Sequence, residues 1–413
     1  TMEGTTKKLA QLLVSSAFAD LDDDVRHEGK RAFLNWLGCT LGGSRHEAVN
    51  TAVSAVMEFA GPPQASVIGR DLRTDMVNAA FINCMSSSAY AFDDTHLLSI
   101  THPTGPIAAS LMALCEEHHV GGKEFLNALV LGIETECRLS NALVVPPARC
   151  HLGFYMTGLT GGVGAAAAVG KILGLDVQHM TWAIGIAAVQ GAGFRDTHAT
   201  MCSSFVPAQA ARNGMIAAML ARKGFTCSDK ALEAPNGFAD VHAHPANLDV
   251  VTEGWGTRYE TRATAYKPYP CGIFTHPSIE ACLSIVKSRE LDASTVDKVV
   301  LEVHPLAKTL TARPEPRSAL DAQVSVQHWA AVTLLRGKAG LAETSVESVN
   351  DPDVMALRKR VEVKVDERLT DDAAVVRVLM KDGTELVERI AHCIGSINRP
   401  MSDEQLVEKF LKQ

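Results

Sequence analysis

The apolar residues of this chain change their period once, and that change limits the folds open to it. Up to about residue 262 they recur every three to four positions, as helices with one buried face require. Beyond that point several short segments alternate apolar with polar residues, as half-buried strands do. Residues 6–60 read as helices. Within 25–41, Ala32, Phe33, Trp36, Leu37 and Thr40 share a face, and Gly42 and Gly43 are expected to end the helix by supplying a left-handed residue. Residues 65–68 read as extended. Further helices are expected over 76–90, over 107–120 with Thr104 as cap, and over 123–139. In the last of these Leu126, Leu129, Val130, Ile133 and Cys137 form the buried face, leaving Lys123, Glu124 and Glu134 on other sides. Small-residue helices follow over 153–175 and 180–192, and 201–214 leads into a helix over 215–223.

The second part alternates. Val299, Leu301 and Val303 mark a strand over 297–304, and 361–366 repeats the pattern. Segments 374–380 and 385–390 flank an Asp-Gly pair at 382–383, which predicts a tight hairpin. Helical stretches over 277–288 and 326–336 lie between the strands, and 402–412 opens on a capping pattern as a terminal helix. The expected architecture is mainly α. A large all-α helical domain takes residues 1–264 and is completed by 396–413; a smaller inserted α+β domain takes 265–395. A length of 413 residues accommodates two or three domains.

Several function classes drop out. The Gly-rich run 153–175 has the wrong spacing for a phosphate-binding loop, and Ile172 stands where a magnesium-holding hydroxyl belongs. No strand precedes its glycines, so a dinucleotide site is not supported, and Lys171 interrupts it as a membrane span. With a net charge of -8 and no basic block, nucleic acid is not an expected partner. The ten cysteines form no CxxC pair, which suits buried thiols in a reducing compartment. The first residues show neither an apolar targeting core nor an Arg-rich leader, so the expected location is cytoplasmic.

The chemistry concentrates at 91–106, AFDDTHLLSITHPTGP. Asp93, Asp94, His96 and His102 stand there with Thr95, Thr101 and Thr104, and Pro103, Gly105 and Pro106 argue for a loop. Imidazoles and carboxylates on a loop suit proton transfer, because their pKa values are tunable towards neutrality. A second string, KPYPCGIFTHP at 267–277, falls where the helical part hands over to the strands. Its Lys267 offers a point charge for a carboxylate, and Cys271, with no basic neighbour, reads as a buried thiol. An HxH pair, His242 and His244, is the strongest metal signal even with His96 and His102 added. It lacks a third ligand at a recognisable spacing, so no metal is expected.

These strings resemble the MmgE/PrpD family, whose members include 2-methylcitrate dehydratases, cis-aconitate decarboxylases and iminodisuccinate epimerase. The resemblance rests on D-D-T…T-H-P-T-G at 93–105, on S-F-x-P-x-x-A-A-R-N-G at 204–214, on KPYPC at 267–271 and on GSINRPMS at 395–402. It implies a cofactor-independent enzyme acting on a small polycarboxylate, a homodimer, and an active site between the two domains. Carried over residue by residue, it names His102, Tyr155, Asp93 and Lys267 as catalytic. Asp94, Thr95, His96, Arg195, Ser203, Arg212, Cys271 and His276 are then substrate-binding. The chain also departs from the pattern. Tyr155 stands for an expected histidine, Ser203 for a lysine, and Val206 and Gly272 for further histidines; Ala91 replaces a polar residue, and the Thr95–His102 spacing is one residue long. A set thinned of cations favours simple proton movement beside a carboxylate over lyase chemistry. The expectation is therefore an epimerase, with His102 and Tyr155 on opposite faces and Lys267 lowering the phenol's pKa; a dehydratase, a decarboxylase or a silent carboxylate-binding homologue are the alternatives.

Overall fold

The structure, a computed structural model, describes residues 4–288 and 291–413. The first part is helical: α1 (Thr5–Ser15), α2 (Asp23–Gly43), α3 (Glu47–Val56), α4 (Met76–Ser88), α5 (Thr104–Glu117), α6 (Gly122–Val144), α7 (Met156–Ile172), α8 (Val177–Ala188) and α9 (Cys202–Arg222). Extended backbone is limited here to two-residue pieces, β1 (Ala65–Ser66) paired with β2 (Arg73–Thr74), and β3 (Thr95–His96). Helix α7 is central, buried from Met156 to Gly170 and packed on α5, α6, α8 and α9. Its small residues allow that. A Cβ on Gly214 of α9 would stand 2.4 Å from the Gly162 carbonyl oxygen, so the backbones touch where larger side chains would hold them apart. Among the described residues no helix is long and apolar enough to cross a membrane.

Tertiary packing moved several local expectations. Helix α2 runs through Gly43 and ends on a right-handed Ser44, so neither glycine supplies a left-handed stop. Gly43 is small for another reason: a Cβ there would lie 1.9 Å from the Ser86 carbonyl oxygen of α4. Helix α6 crosses the interior, and Glu134 is buried, paired with Arg138 at 3.0 Å and accepting the Glu260 and Thr261 amides. Helix α5 starts at Thr104 and ends at Glu117. Pro106 fits its first turn, where a missing N–H costs nothing, and Thr104 is a helical residue rather than the cap. Helix α8 starts three residues early, capped by Asp176. Residues 202–222 form one helix with Pro207 inside it; burial of Ala208, Ala211, Met215 and Ala218 outweighs the hydrogen bond that proline removes.

The second part begins at β4 (Thr264–Ala265), which pairs antiparallel with β3. Its sheet has the order β6-β5-β7-β8, from β5 (Val296–Val303), β6 (Val361–Val365), β7 (Ala374–Met380) and β8 (Glu385–Ile390). The β5–β6 pair is parallel and the others antiparallel, with β7 and β8 forming the expected hairpin. Helices His276–Ser288 and Val326–Arg336 cover one face, where Ile279, Cys282 and Trp329 meet Val299, Leu301, Val376 and Val378. The terminal helix Asp403–Leu411, capped by Ser402 with Gln405, packs back on α2. The fold is mainly α with a smaller α+β part, as the two apolar periods required.

The two adjacent glycines of α2 contrast a neighbour that cannot yield, the α4 backbone, with one that can, a side chain. A Cβ at Gly42 would meet only the flexible Gln413 side chain. Gly43→Ala is expected to cost about 1–3 kcal/mol by overpacking. Gly42→Ala should stay within about 0.5 kcal/mol of the parent, helped by helix propensity. Urea unfolding of both variants checks this; equal losses would show that the α2–α4 contact is not what fixes Gly43.

Candidate active site

The β3–β4 ladder builds the site. By pairing Thr95 with Ala265 and His96 with Thr264 it brings two distant segments side by side, and Lys267, two residues past β4, lands on Asp93. The Lys267 Nζ donates to Asp93 Oδ1 at 3.2 Å and to the Ala91 carbonyl at 3.1 Å, and only 2% of the lysine is exposed. Burial alone would raise the Asp93 carboxyl, but His102 and Lys267 outweigh it and hold Asp93 below the usual range. His102 lies 2.8 Å through Nδ1 from the Asp94 carbonyl, 3.3 Å from Thr95 Oγ1 and 3.9 Å from Asp93. A carbonyl only accepts, so Nδ1 carries the hydrogen and Nε2 keeps the basic lone pair. Burial lowers the imidazole's pKa against the pull of Asp93, which leaves it neutral near pH 7.

These groups open onto a cleft of about 930 Å³, its open mouth included. Tyr155, just before α7, stands edge-on to His102, with centroids 6.2 Å apart, and to His198 at 4.8 Å. Burial pushes its phenol well above the ordinary value, with Asp93 adding to the rise and Arg195 opposing it. Arg195 and His198 come from the turn between α8 and α9, anchored where the Arg195 amide donates to the Gly153 carbonyl at 2.8 Å. The Arg195 guanidinium makes no hydrogen bond or ion pair among the described residues. The His198 Nδ1 is buried without a partner, and burial lowers this imidazole to about 4. Ser203 lines the cleft from the first turn of α9, although its hydroxyl donates to Thr200.

The facing wall comes from the second part of the chain: Ile273, Phe274, Leu310, Leu320 and Val324, with Thr311 and Gln323 the only polar side chains among its described residues. Backbone strain gathers at the same place. Among the described residues four non-glycines have a left-handed backbone, and three of them, Ala91, Ile100 and Ala199, line this cleft. Such conformations are costly and tend to persist at functional sites. Behind the loop, Lys409 of the terminal helix is buried and donates to the Phe92 carbonyl and to Asn35 Oδ1, both at 2.7 Å.

The structure thus gathers Asp93, Thr95, His102, Tyr155, Arg195, Ser203 and Lys267 around one cleft. The other named residues do not line it. His96 is buried between Glu260 and Ser99, at 3.0 and 2.7 Å, where it ties the loop to the residues before β4. Cys271 is buried on Thr275, its thiol raised to about 12 by burial. His276 is lowered to about 3 by burial within the second core. Arg212 lies on α9 outside the cleft. Asp94 faces inward, accepting the Thr104 hydroxyl at 2.6 Å, and burial lifts its carboxyl to about 7. The cation acting on the Tyr155 phenol is Arg195, not Lys267, whose charge Asp93 already engages. His198 and the apolar wall were missed. The only signal for His198 was its place three residues after Arg195. His242 bonds back to the Phe238 carbonyl at 2.8 Å, and among the described residues no three His, Cys, Asp or Glu converge as metal ligands.

Comparison with known proteins adds to this geometry. The MmgE/PrpD N-terminal domain model matches residues 7–251 and the MmgE/PrpD C-terminal domain model matches 269–413. Over 99% of this chain and 86% of the relative it is 27% identical to cis-aconitate decarboxylase of Mus musculus. It is 24% identical to cis-aconitate decarboxylase of Aspergillus terreus, over 98% of the chain and 88% of the relative. Identity to 2-methylcitrate dehydratase of Cupriavidus necator is also 24%, over 92% and 84%.

Asp94 gives the site a pH signature. Its folded pKa of about 7 lies above the unfolded value of about 3.9. The folded state therefore holds the proton longer, and this group's contribution to stability falls as pH rises through that window. Asp94→Asn keeps the acceptor for Thr104 and removes the titration. The variant should gain on the parent between pH 5 and 8, by a few kcal/mol at most at about 1.4 kcal/mol per unit. Denaturant melts at both pH values check this, and a pH-independent difference would contradict it.

Proposed function

The chain belongs to the MmgE/PrpD family, and from that premise we propose that it is a lyase breaking a bond beside a carboxylate, with decarboxylation as the reaction. The observation that carries this reading is the asymmetry of the cleft. Every titratable side chain lining it comes from the helical part or from Lys267 at the junction, while the opposite wall is apolar.

An epimerase needs an acid and a base on opposite faces of one carbon, and the wall facing His102 and Tyr155 offers only Thr311 and Gln323. Decarboxylation needs something else. One carboxylate of the substrate anchors on Arg195, and the carboxylate to be lost lies against the apolar wall, where poor solvation favours its conversion into neutral CO₂. The C–C bond breaks and leaves its electron pair on carbon, delocalised into adjoining unsaturation. Tyr155, protonated at neutral pH, delivers the proton that completes the new C–H bond, and His102 Nε2 relays a proton from solvent back to the phenolate. Asp93 and Lys267 keep the His102 loop in register. Substrate and one proton become product and CO₂. The relatives named cis-aconitate decarboxylase make an unsaturated acid the natural first candidate. Water loss, as in the relatives named 2-methylcitrate dehydratase, would use the same acid at a hydroxyl leaving group.

The test is proton NMR in D₂O with a panel of unsaturated and hydroxylated di- and tricarboxylic acids. Decarboxylation appears as new product signals with one deuteron incorporated per turnover, and as bicarbonate in the carbon-13 spectrum. Interconverting diastereomers with α-proton washout would make the protein an epimerase and overturn the reading. On a turned-over acid, His102→Ala and Tyr155→Phe should each lower kcat about 10²–10⁴-fold without loss of fold by circular dichroism. Full activity in either variant would remove that residue from the mechanism.

A further inference from the structure

Charge and shape in the cleft carry the argument one step further, to the class of acid it takes. Two cations line the cleft, Lys267 and Arg195. The Lys267 ammonium is 3.2 Å from the Asp93 carboxylate, so the pair presents no net charge to a ligand. Neighbouring cations are occupied too. Arg313 pairs with Asp321 at 2.9 Å, and Lys409 lies behind Phe92, bonded to its carbonyl. Among the described residues that leaves one unpaired cation at the cleft, Arg195, half-buried beside Tyr155 and the partnerless Nδ1 of His198. From the second part of the chain Ile273, Phe274, Leu310, Leu320 and Val324 line the cleft with apolar side chains, and Ile100 adds another.

Resting on the lyase reading above, we infer that the cleft selects dicarboxylic acids with an alkyl substituent, and discriminates against tricarboxylates. One carboxylate takes the bidentate Arg195 fork, with the Tyr155 hydroxyl and His198 as further hydrogen-bonding partners. The alkyl group lies on the Leu310–Leu320–Val324 wall, where each buried methylene strengthens binding about fourfold. A third carboxylate finds no free cation and meets either that wall or the Asp93 carboxylate, so it loses water without compensation. Both cleft imidazoles are driven towards neutrality by burial and do not supply the missing charge.

The test is isothermal titration calorimetry at pH 7.5 on the full chain, with three saturated acids that offer no unsaturation to react: succinate, 2-isobutylsuccinate and tricarballylate. The alkyl diacid should bind at least tenfold more tightly than succinate, and tricarballylate more weakly than either. Arg195→Met should abolish all three. Tricarballylate binding as tightly as isobutylsuccinate would overturn the inference, and so would no measurable binding of any acid to the parent protein. Because binding is read without turnover, the two readings fail separately. Selective binding with no reaction in the NMR panel would sink the lyase alone, and turnover with a tricarboxylate preference would sink only the substrate class.

Discussion

The Asp93–Lys267 contact joins residues 174 positions apart with almost no access to water. Taking two charges out of solvent is expensive, and the pair survives because each charge is also hydrogen-bonded or electrostatically supported. Lys267 donates to the Ala91 carbonyl as well, and His102 stands 3.9 Å from Asp93 on its other side. Removing one partner would strand the other charge, which in buried pairs costs about 3–5 kcal/mol. The pair therefore fixes the loop after α4 to the start of the second part of the chain. The β3–β4 ladder supplies the alignment, and the His96–Glu260 contact closes it from behind. The cleft exists because these two segments cannot separate.

The same constraint explains which features were readable from sequence. Apolar periods are local, so the helices and the four strands of the sheet came out close to where they stand. The errors fall where a distant partner overrides the local signal. Gly43 is small because Ser86 is there, and Glu134 is buried because residues 260 and 261 offer it amides. The loop motif gave Asp93, Thr95 and His102, and the junction string gave Lys267, because each carries its chemistry within a few residues. Nothing local announced that His96 would turn inward while His102, six residues on, would face the cleft. That alternation follows from the antiparallel bridge between His96 and Thr101, which turns the next residue, His102, to the other side. The apolar wall was invisible for a related reason: residues 273–274, 310 and 320–324 become one surface only after the second part folds.

The choice between epimerase and lyase also turns on what folding does to the charges. From sequence, losing imidazoles and a lysine left too few charges for lyase chemistry, and Tyr155 needed Lys267 to act as a base. In the folded chain Lys267 is engaged by Asp93, Arg195 is the cation near the phenol, and His198 restores one of the imidazoles counted as missing. Burial raises the phenol and lowers both imidazoles. These shifts are what lead the proposed mechanism to use Tyr155 as the acid, the reverse of the assignment that made Tyr155 a base.

That reversal ties reaction and specificity to one feature. A cleft with its ionisable groups on one wall and hydrocarbon on the other cannot treat two faces of a carbon alike, which weakens the case for inversion at that carbon. It can treat two carboxylates differently, holding one at Arg195 and depriving the other of solvent. On the proposed reading, the same shortage of charge that disfavours a third carboxylate lowers the barrier for expelling the second as neutral CO₂. Restoring a cation to the apolar wall would then relax the discrimination and slow the bond-breaking step together, because both come from the one desolvated surface.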